Sequence, residues 1–132
     1  MKKLIQPGLF FLACFFLICC KKNSAEKPVD TSYEVEYNIT PLTNAFTKIT
    51  YTDQTGTTIV INDITQFPGG VKKIKVLNKP FTAKMSVDIN NQAPTAFSSV
   101  LSISVNGEVK KVQPISVPAF MTSTGIAEFT VN

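Results

Sequence analysis

The sequence predicts an all-β protein, an antiparallel β-sandwich of seven to eight strands. Apolar and polar residues alternate with period two in many short segments, which is the pattern of strands buried on one face. Turn-forming residues separate these segments at intervals near the about 8 to 12 residues that are typical of a sandwich. No segment shows helical periodicity. Two sheets packed face to face would bury every apolar strand face.

Three strands are predicted in the first half of the domain. The first alternating run extends from Tyr33 to Ile39. A second run, from Thr47 to Thr52, places Thr47 on its apolar face. The segment Asp53–Gly56 supplies a turn, and Thr57–Ile61 follows it, so these two runs are expected to form a hairpin.

Two more strands follow a predicted loop at Phe67–Gly70, where Pro lacks a ladder donor and Gly weakens a strand. The next strand, Val71–Leu77, has lysines on one face and ends at Asn78–Pro80. The run Phe81–Ile89 shows the clearest alternation in the chain. It is therefore expected to contribute to the core.

A second hairpin is predicted around Asn106-Gly107, because both residues accept the positive φ of a type I′ turn. It joins Ser99–Val105 to Glu108–Gln113. Flanking prolines confine Ile115–Val117 to an edge or a bulge, and Gly125–Val131 forms the final strand.

The inward-facing residues of these runs define the predicted core. This core lacks the Trp and the disulfide of antibody-type domains. The predicted sandwich therefore resembles immunoglobulin domains in architecture only. They are Tyr33, Val35, Tyr37, Ile49, Tyr51, Ile59, Ile61, Ile74, Val76, Phe81, Met85, Val87, Ile89, Leu101, Ile103, Val105, Phe129 and Val131.

The amino-terminal segment predicts a bacterial lipoprotein signal peptide at residues 1–19, with Cys20 as the lipidated residue. Two lysines precede an unbroken apolar run that ends at Cys20. Leu17 lies three positions before Cys20, and the small Cys19 directly precedes it. Cleavage before Cys14 would leave an apolar stub, and cleavage before Cys19 would place a bulky Ile beside the cut. An uncleaved anchor and a plain secretory signal are the alternatives.

Removal of the signal leaves 113 residues: a polar tether at 20–31 and one domain at 32–132. The mature chain then has 11 Lys and 9 acidic residues, a net charge of +2. Its domain has no Cys and no His, which excludes disulfides, thiolate metal sites and imidazole catalysis. Without Arg, the chain is a poor candidate for phosphate or nucleic-acid recognition. The sequence thus predicts no cofactor, metal or catalytic residue.

The remaining candidate groups have simpler interpretations. Glu34 and Glu36 share a strand face and are the nearest approach to paired catalytic carboxylates, but a solvated sheet face explains them. Lys72, Lys73, Lys75, Lys110 and Lys111 suggest a basic patch for anionic lipid or glycan, although lysines also protect exposed strand edges. The best candidates for an exposed apolar contact are Phe67 and Phe120, unless either folds back over the end of the sandwich.

Several segments of the chain resemble the MmpS family of small exported β-sandwich proteins. They are Tyr33-Glu34-Val35, Ile49–Asp53 with Gly56, Phe81–Val87, Ser102–Gly107 and Gly125-Ile126-Ala127. Members of that family have a membrane-spanning amino end, whereas this chain has a predicted lipid signal. They also have a Pro-Trp pair in the middle loop, where this chain has Phe67-Pro68. The resemblance implies an accessory role beside a large membrane transporter, and it transfers no catalytic residue.

These observations together predict a non-enzymatic, lipid-anchored protein of the cell membrane or outer membrane. Its domain would lie on the periplasmic or extracellular side and bind another envelope component, either a glycan or a protein such as a membrane transporter. The sequence leaves the binding surface unknown. The alternative is a surface-exposed carbohydrate-binding or adhesive lipoprotein. A carboxylate hydrolase would need two acids on facing loops, about 5 to 10 Å apart.

Overall fold

The computed structural model describes residues 31–132, which form an all-β sandwich of eight strands. The predicted signal peptide, Cys20 and all of the tether except Thr31 lie outside the described residues. The strands are β1 (Tyr33–Thr40), β2 (Phe46–Thr52), β3 (Thr58–Ile61), β4 (Val71–Val76), β5 (Phe81–Asn90), β6 (Phe97–Val105), β7 (Glu108–Val117) and β8 (Thr122–Val131). Two short 3₁₀ turns, Ile64–Gln66 and Pro68–Gly70, lie between β3 and β4.

The strands form two four-stranded sheets. One sheet has the order β4-β1-β6-β7, and the other has the order β3-β2-β5-β8. All neighbouring strands are antiparallel. The predicted β6–β7 hairpin is confirmed, since Asn106 and Gly107 have φ values of 50° and 80°. The predicted fold class is therefore correct.

Alternating residues of both sheets form the core. All predicted core residues are buried except Ile59 and Phe129, which are partly buried against it. The structure adds Ile39, Phe46, Phe67, Ala83, Ile115, Val117 and Ala127. All eight strands contribute, so the described residues enclose one continuous core.

The prediction that Thr47 lies on the apolar face of β2 is wrong. The register shifts between Phe46 and Lys48, so that Thr47 is exposed and Phe46 is buried. Burying a phenyl ring stabilises the fold far more than burying a threonine. This difference favours the β-bulge, which turns Phe46 inward.

Strand β7 is longer than predicted, because it continues through Pro114 to Val117. Pro114 lies opposite Val100 of β6, and β7 is the edge strand of its sheet. An edge strand tolerates proline, since the missing N–H can face away from the ladder.

The sandwich has two distinct ends. At one end, which we call the proximal end, the described chain begins at Thr31 and leads into β1; the turns Asp53–Thr57, Leu77–Pro80 and Asn106-Gly107 also lie there. The loops at 41–45, 91–96 and 118–121 meet at the opposite end, which we call the distal end.

Candidate binding surface

Backbone hydrogen bonds hold the three loops of the distal end together. The Asn90 amide donates to the Ala45 carbonyl at 2.8 Å, and the Asn91 amide donates to the Met121 carbonyl at 2.9 Å. The Phe120 amide donates to the Ala93 carbonyl at 3.3 Å. Each loop is thus fixed to a neighbour.

The loop between β7 and β8 presents two large apolar side chains. Phe120 is 70% exposed and Met121 is 54% exposed. The backbone of Phe120 is left-handed, with φ of 57°, a conformation that is costly for a bulky residue and is found where surrounding structure imposes it. The exposed ring of Phe120 is therefore attached to a backbone whose conformation is constrained.

Asn91 imposes much of this constraint. The residue is only 3% exposed, and its side-chain nitrogen lies 2.8, 2.9 and 3.3 Å from the carbonyl oxygens of Thr95, Pro118 and Val117. Its side-chain oxygen accepts from the Ala93 amide at 3.1 Å. One buried amide thus joins the loop before β6 to the loop that carries Phe120.

The distal loops at 41–45, 91–96 and 118–121 contain no charged residue. The nearest charges on the adjoining sheet face neutralise each other, because Lys48 Nζ lies 2.6 Å from an Asp88 carboxylate oxygen. This pair and a hydrogen bond from Thr124 lower the pKa of Asp88. The loops at 41–45, 91–96 and 118–121 are consequently neutral and partly apolar.

A shallow depression of about 350 Å³ borders the same loops. Its polar lining consists of neutral side chains, among them Asn44, Thr47, Asn90 and Gln92. Such groups donate and accept hydrogen bonds without charge, and they lie beside the loop that carries Phe120.

Phe67, the other predicted exposed contact, is fully buried. Its ring packs edge-to-face against Tyr51, with 6.3 Å between centroids. The Phe67 loop thus folds back over the sandwich, so of the two candidates only Phe120 is exposed.

Glu34 and Glu36 do not form a paired-acid site. Both carboxylates bind the Lys73 ammonium group, at 2.9 and 3.1 Å. Hydrogen bonds from Lys73 to the two glutamates raise the lysine pKa. The arrangement is a cross-strand ion-pair cluster on β1 and β4.

The predicted basic patch is divided among separate contacts. Lys72 lies over the Tyr51 ring, with Nζ 5.8 Å from its centroid, and Lys110 pairs with Glu108 at 2.6 Å. Lys73 binds the two glutamates described above. Lys75 and Lys111 are exposed on β4 and β7, which lie at opposite edges of their sheet.

Residues 31–132 contain neither a cluster of metal-binding side chains nor a membrane-spanning helix. No group of three or more His, Cys, Asp or Glu residues in this range could hold a metal ion. The same residues include no helix long and apolar enough to cross a membrane.

No protein-family model matches the sequence, and no curated protein matches it either.

Asn91 and Met121 are the components of this surface that sequence reasoning missed. The sequence did contain an indication of this surface, because residues 89–107 and 112–127 have no charged side chain. Recognising it required the topology, which brings the ends of these two stretches together.

Proposed function

We propose that this protein is a lipid-anchored, non-enzymatic binding module of the bacterial cell envelope, attached through Cys20. Its distal end contacts another envelope protein. The observation that carries this proposal is the exposed Phe120–Met121 pair on a constrained, uncharged loop.

Protein interfaces favour such a surface. Their buried centres are depleted of charged residues and enriched in aromatic residues and Met. A loop that is already ordered loses little conformational entropy on binding, which strengthens association. The contacts of Asn91 supply that order before a partner arrives.

The position of the surface agrees with a tethered protein. The described chain enters the sandwich at the proximal end, opposite the distal loops. The resemblance to the MmpS family suggests a membrane transporter as the partner. The engagement of Glu34 and Glu36 by Lys73 supports a non-enzymatic role for these carboxylates.

A matched pair of variants tests the surface. Phe120→Ser removes an apolar side chain from the distal end, and Leu77→Ser removes one of similar exposure, 66%, from the proximal end. The tagged full chain is cross-linked in its native cells and recovered with its partners. We expect Phe120→Ser to reduce the recovered envelope protein at least about tenfold, because central aromatic contacts dominate interfaces, whereas Leu77→Ser leaves recovery unchanged.

Equal recovery with wild type and Phe120→Ser would contradict the assignment of the distal end. Absence of any envelope protein above background would contradict the accessory role.

The neutral depression beside Phe120 favours a second candidate function. The Asn, Gln and Thr side chains that line it can also bind a neutral glycan. In that case the same experiment recovers polysaccharide instead of protein, and the recovery still depends on Phe120.

A further inference from the structure

We propose that the free edge of β8 binds β8 of a second copy of this chain, forming an antiparallel two-fold dimer. This inference goes beyond the proposed function, and only the cross-linking test in membranes rests on the proposed anchor. It rests on a comparison of the four sheet edges.

Two edges are protected by length or charge. Strand β3 has only four residues. Strand β4 carries Lys72, Lys73 and Lys75, and Lys72 points inward over the Tyr51 ring. Short edges and inward-pointing charges are recognised devices against strand addition. A second β4 would also bring lysines together.

The edge of β7 is interrupted in two ways. Pro114 lacks the amide hydrogen that a ladder needs, and the register of β7 shifts next to Ile103 and Ser104 of β6. Proline and a bulge both discourage pairing at an edge.

Strand β8 has none of these devices. It extends over ten residues from Thr122 to Val131 without Pro or Lys. Its ladder with β5 is unbroken, and within the described residues β8 pairs on that side alone. Its only charged residue, Glu128, is paired with Lys84 of β5 at 3.3 Å.

The sequence of β8 is compatible with itself in an antiparallel register centred on Ile126. This register places Ile126 opposite its own copy, so two side chains that are 49% exposed cover each other. Thr124 then lies opposite Glu128, and Ser123 lies opposite Phe129. No like charges face each other, so this register avoids the repulsion that destabilises cross-strand pairs.

The pairing covers residues 122–130 and leaves Phe120 outside the ladder. A single added ladder makes a weak contact in solution, and confinement to a membrane surface would raise its occupancy. Since each copy has one such edge, pairing closes at two copies.

Val60 provides a matched control for Ile126. It lies in the same cross-strand row, through Thr50 and Ser86, but on the opposite edge of the same sheet. Its exposure, 53%, is close to that of Ile126.

The test places a single cysteine at either position in the full chain. After mild oxidation of membranes, Ile126→Cys should form a disulfide-linked homodimer in yield about tenfold above Val60→Cys, because symmetric pairing brings the two sulfur atoms together. The parent chain, with only its own cysteines, sets the background. Equal yields, or a link from position 126 to a protein of another size, would overturn the proposal.

A second measurement avoids cross-linking. Ile126→Lys sets two like charges face to face, so it should weaken dimerisation of the detergent-solubilised full chain about tenfold. Val60→Lys should leave it unchanged. A wild-type chain that forms larger oligomers, or an Ile126→Lys chain that dimerises as tightly as wild type, would refute the two-fold pairing.

Discussion

At the residue scale, Tyr37 links the two sheets. Its ring is fully buried and lies 5.5 Å, centroid to centroid, from the ring of Tyr51. Its hydroxyl donates to the Thr52 carbonyl at 2.7 Å. Burial raises the pKa of Tyr37, because the phenolate would lose its hydration inside the core.

This raised pKa predicts a loss of stability in alkali. The unfolded tyrosine ionises near pH 10, about its ordinary pKa, whereas the folded one remains protonated. Above that pH the unfolded state binds fewer protons, so the free energy of unfolding falls as the pH rises.

Tyr37→Phe tests this linkage. At neutral pH we expect the variant to be less stable by about 1 kcal/mol, because the Thr52 carbonyl loses its donor. Urea unfolding should show the difference shrinking between about pH 9 and about pH 11, where the wild type loses its tyrosine contribution. A constant difference across this range would contradict the assignment.

Phe67 and Phe120 show the limit of residue-level prediction. Both occur near proline in loops, and the sequence treats them alike. They differ in distant contacts: Phe67 meets Tyr51 across the fold, and Phe120 meets no ring within the described residues. Local sequence does not encode such contacts.

At the element scale, Gly70 fixes the start of β4. Its φ of 72° lies in the left-handed region, and a Cβ atom there would meet the Ile39 carbonyl oxygen and, at 3.3 Å, the Leu42 Cβ. The neighbouring Gly69 has a φ of 64° but open space around the same position. A substitution at Gly69 therefore meets backbone strain alone, whereas one at Gly70 meets both backbone strain and a steric clash.

We expect Gly69→Ala to lower the free energy of unfolding by about 1 to 2 kcal/mol, which is the cost of a left-handed non-glycine residue. Gly70→Ala should cost at least about 3 kcal/mol, because β1 must also move away. Urea denaturation of both variants measures the difference. Similar losses of unfolding free energy in the two variants would mean that β1 shifts at Ile39 at little energetic cost.

Most elements were predictable because their alternation matches the one-sided burial of strands. The turn at Asn106-Gly107 was predictable because its residues suit positive φ. The bulge at Thr47 was not, since it depends on where Phe46 finds space in the assembled core. The passage of β7 through Pro114 likewise depends on its place at a sheet edge.

At the scale of the whole molecule, the proposed anchor makes a separate prediction. Cys20→Ser removes the only thiol that could be lipidated in our proposal, so the chain should leave the membrane fraction and its electrophoretic mobility should change. Fractionation and gel electrophoresis of the full chain measure both effects. If membrane partitioning and electrophoretic mobility were unchanged, a segment other than Cys20 would attach the protein to the membrane.

The fold was predictable from the sequence, whereas the candidate binding surface was only partly so. Phe120 was identified from its loop, but Asn91 acts through three carbonyl groups that the topology brings near it. The three uncharged loops of the distal end are likewise far apart in the sequence.

The position of β1 affects how the domain bears mechanical load. This first strand lies inside its sheet, hydrogen-bonded to β4 on one side and β6 on the other. The ladder bonds are perpendicular to the strand, so a pull on the chain ahead of Thr31 would stretch both ladders in shear at once. A domain that begins with an interior strand is well suited to resist force applied through its own amino terminus.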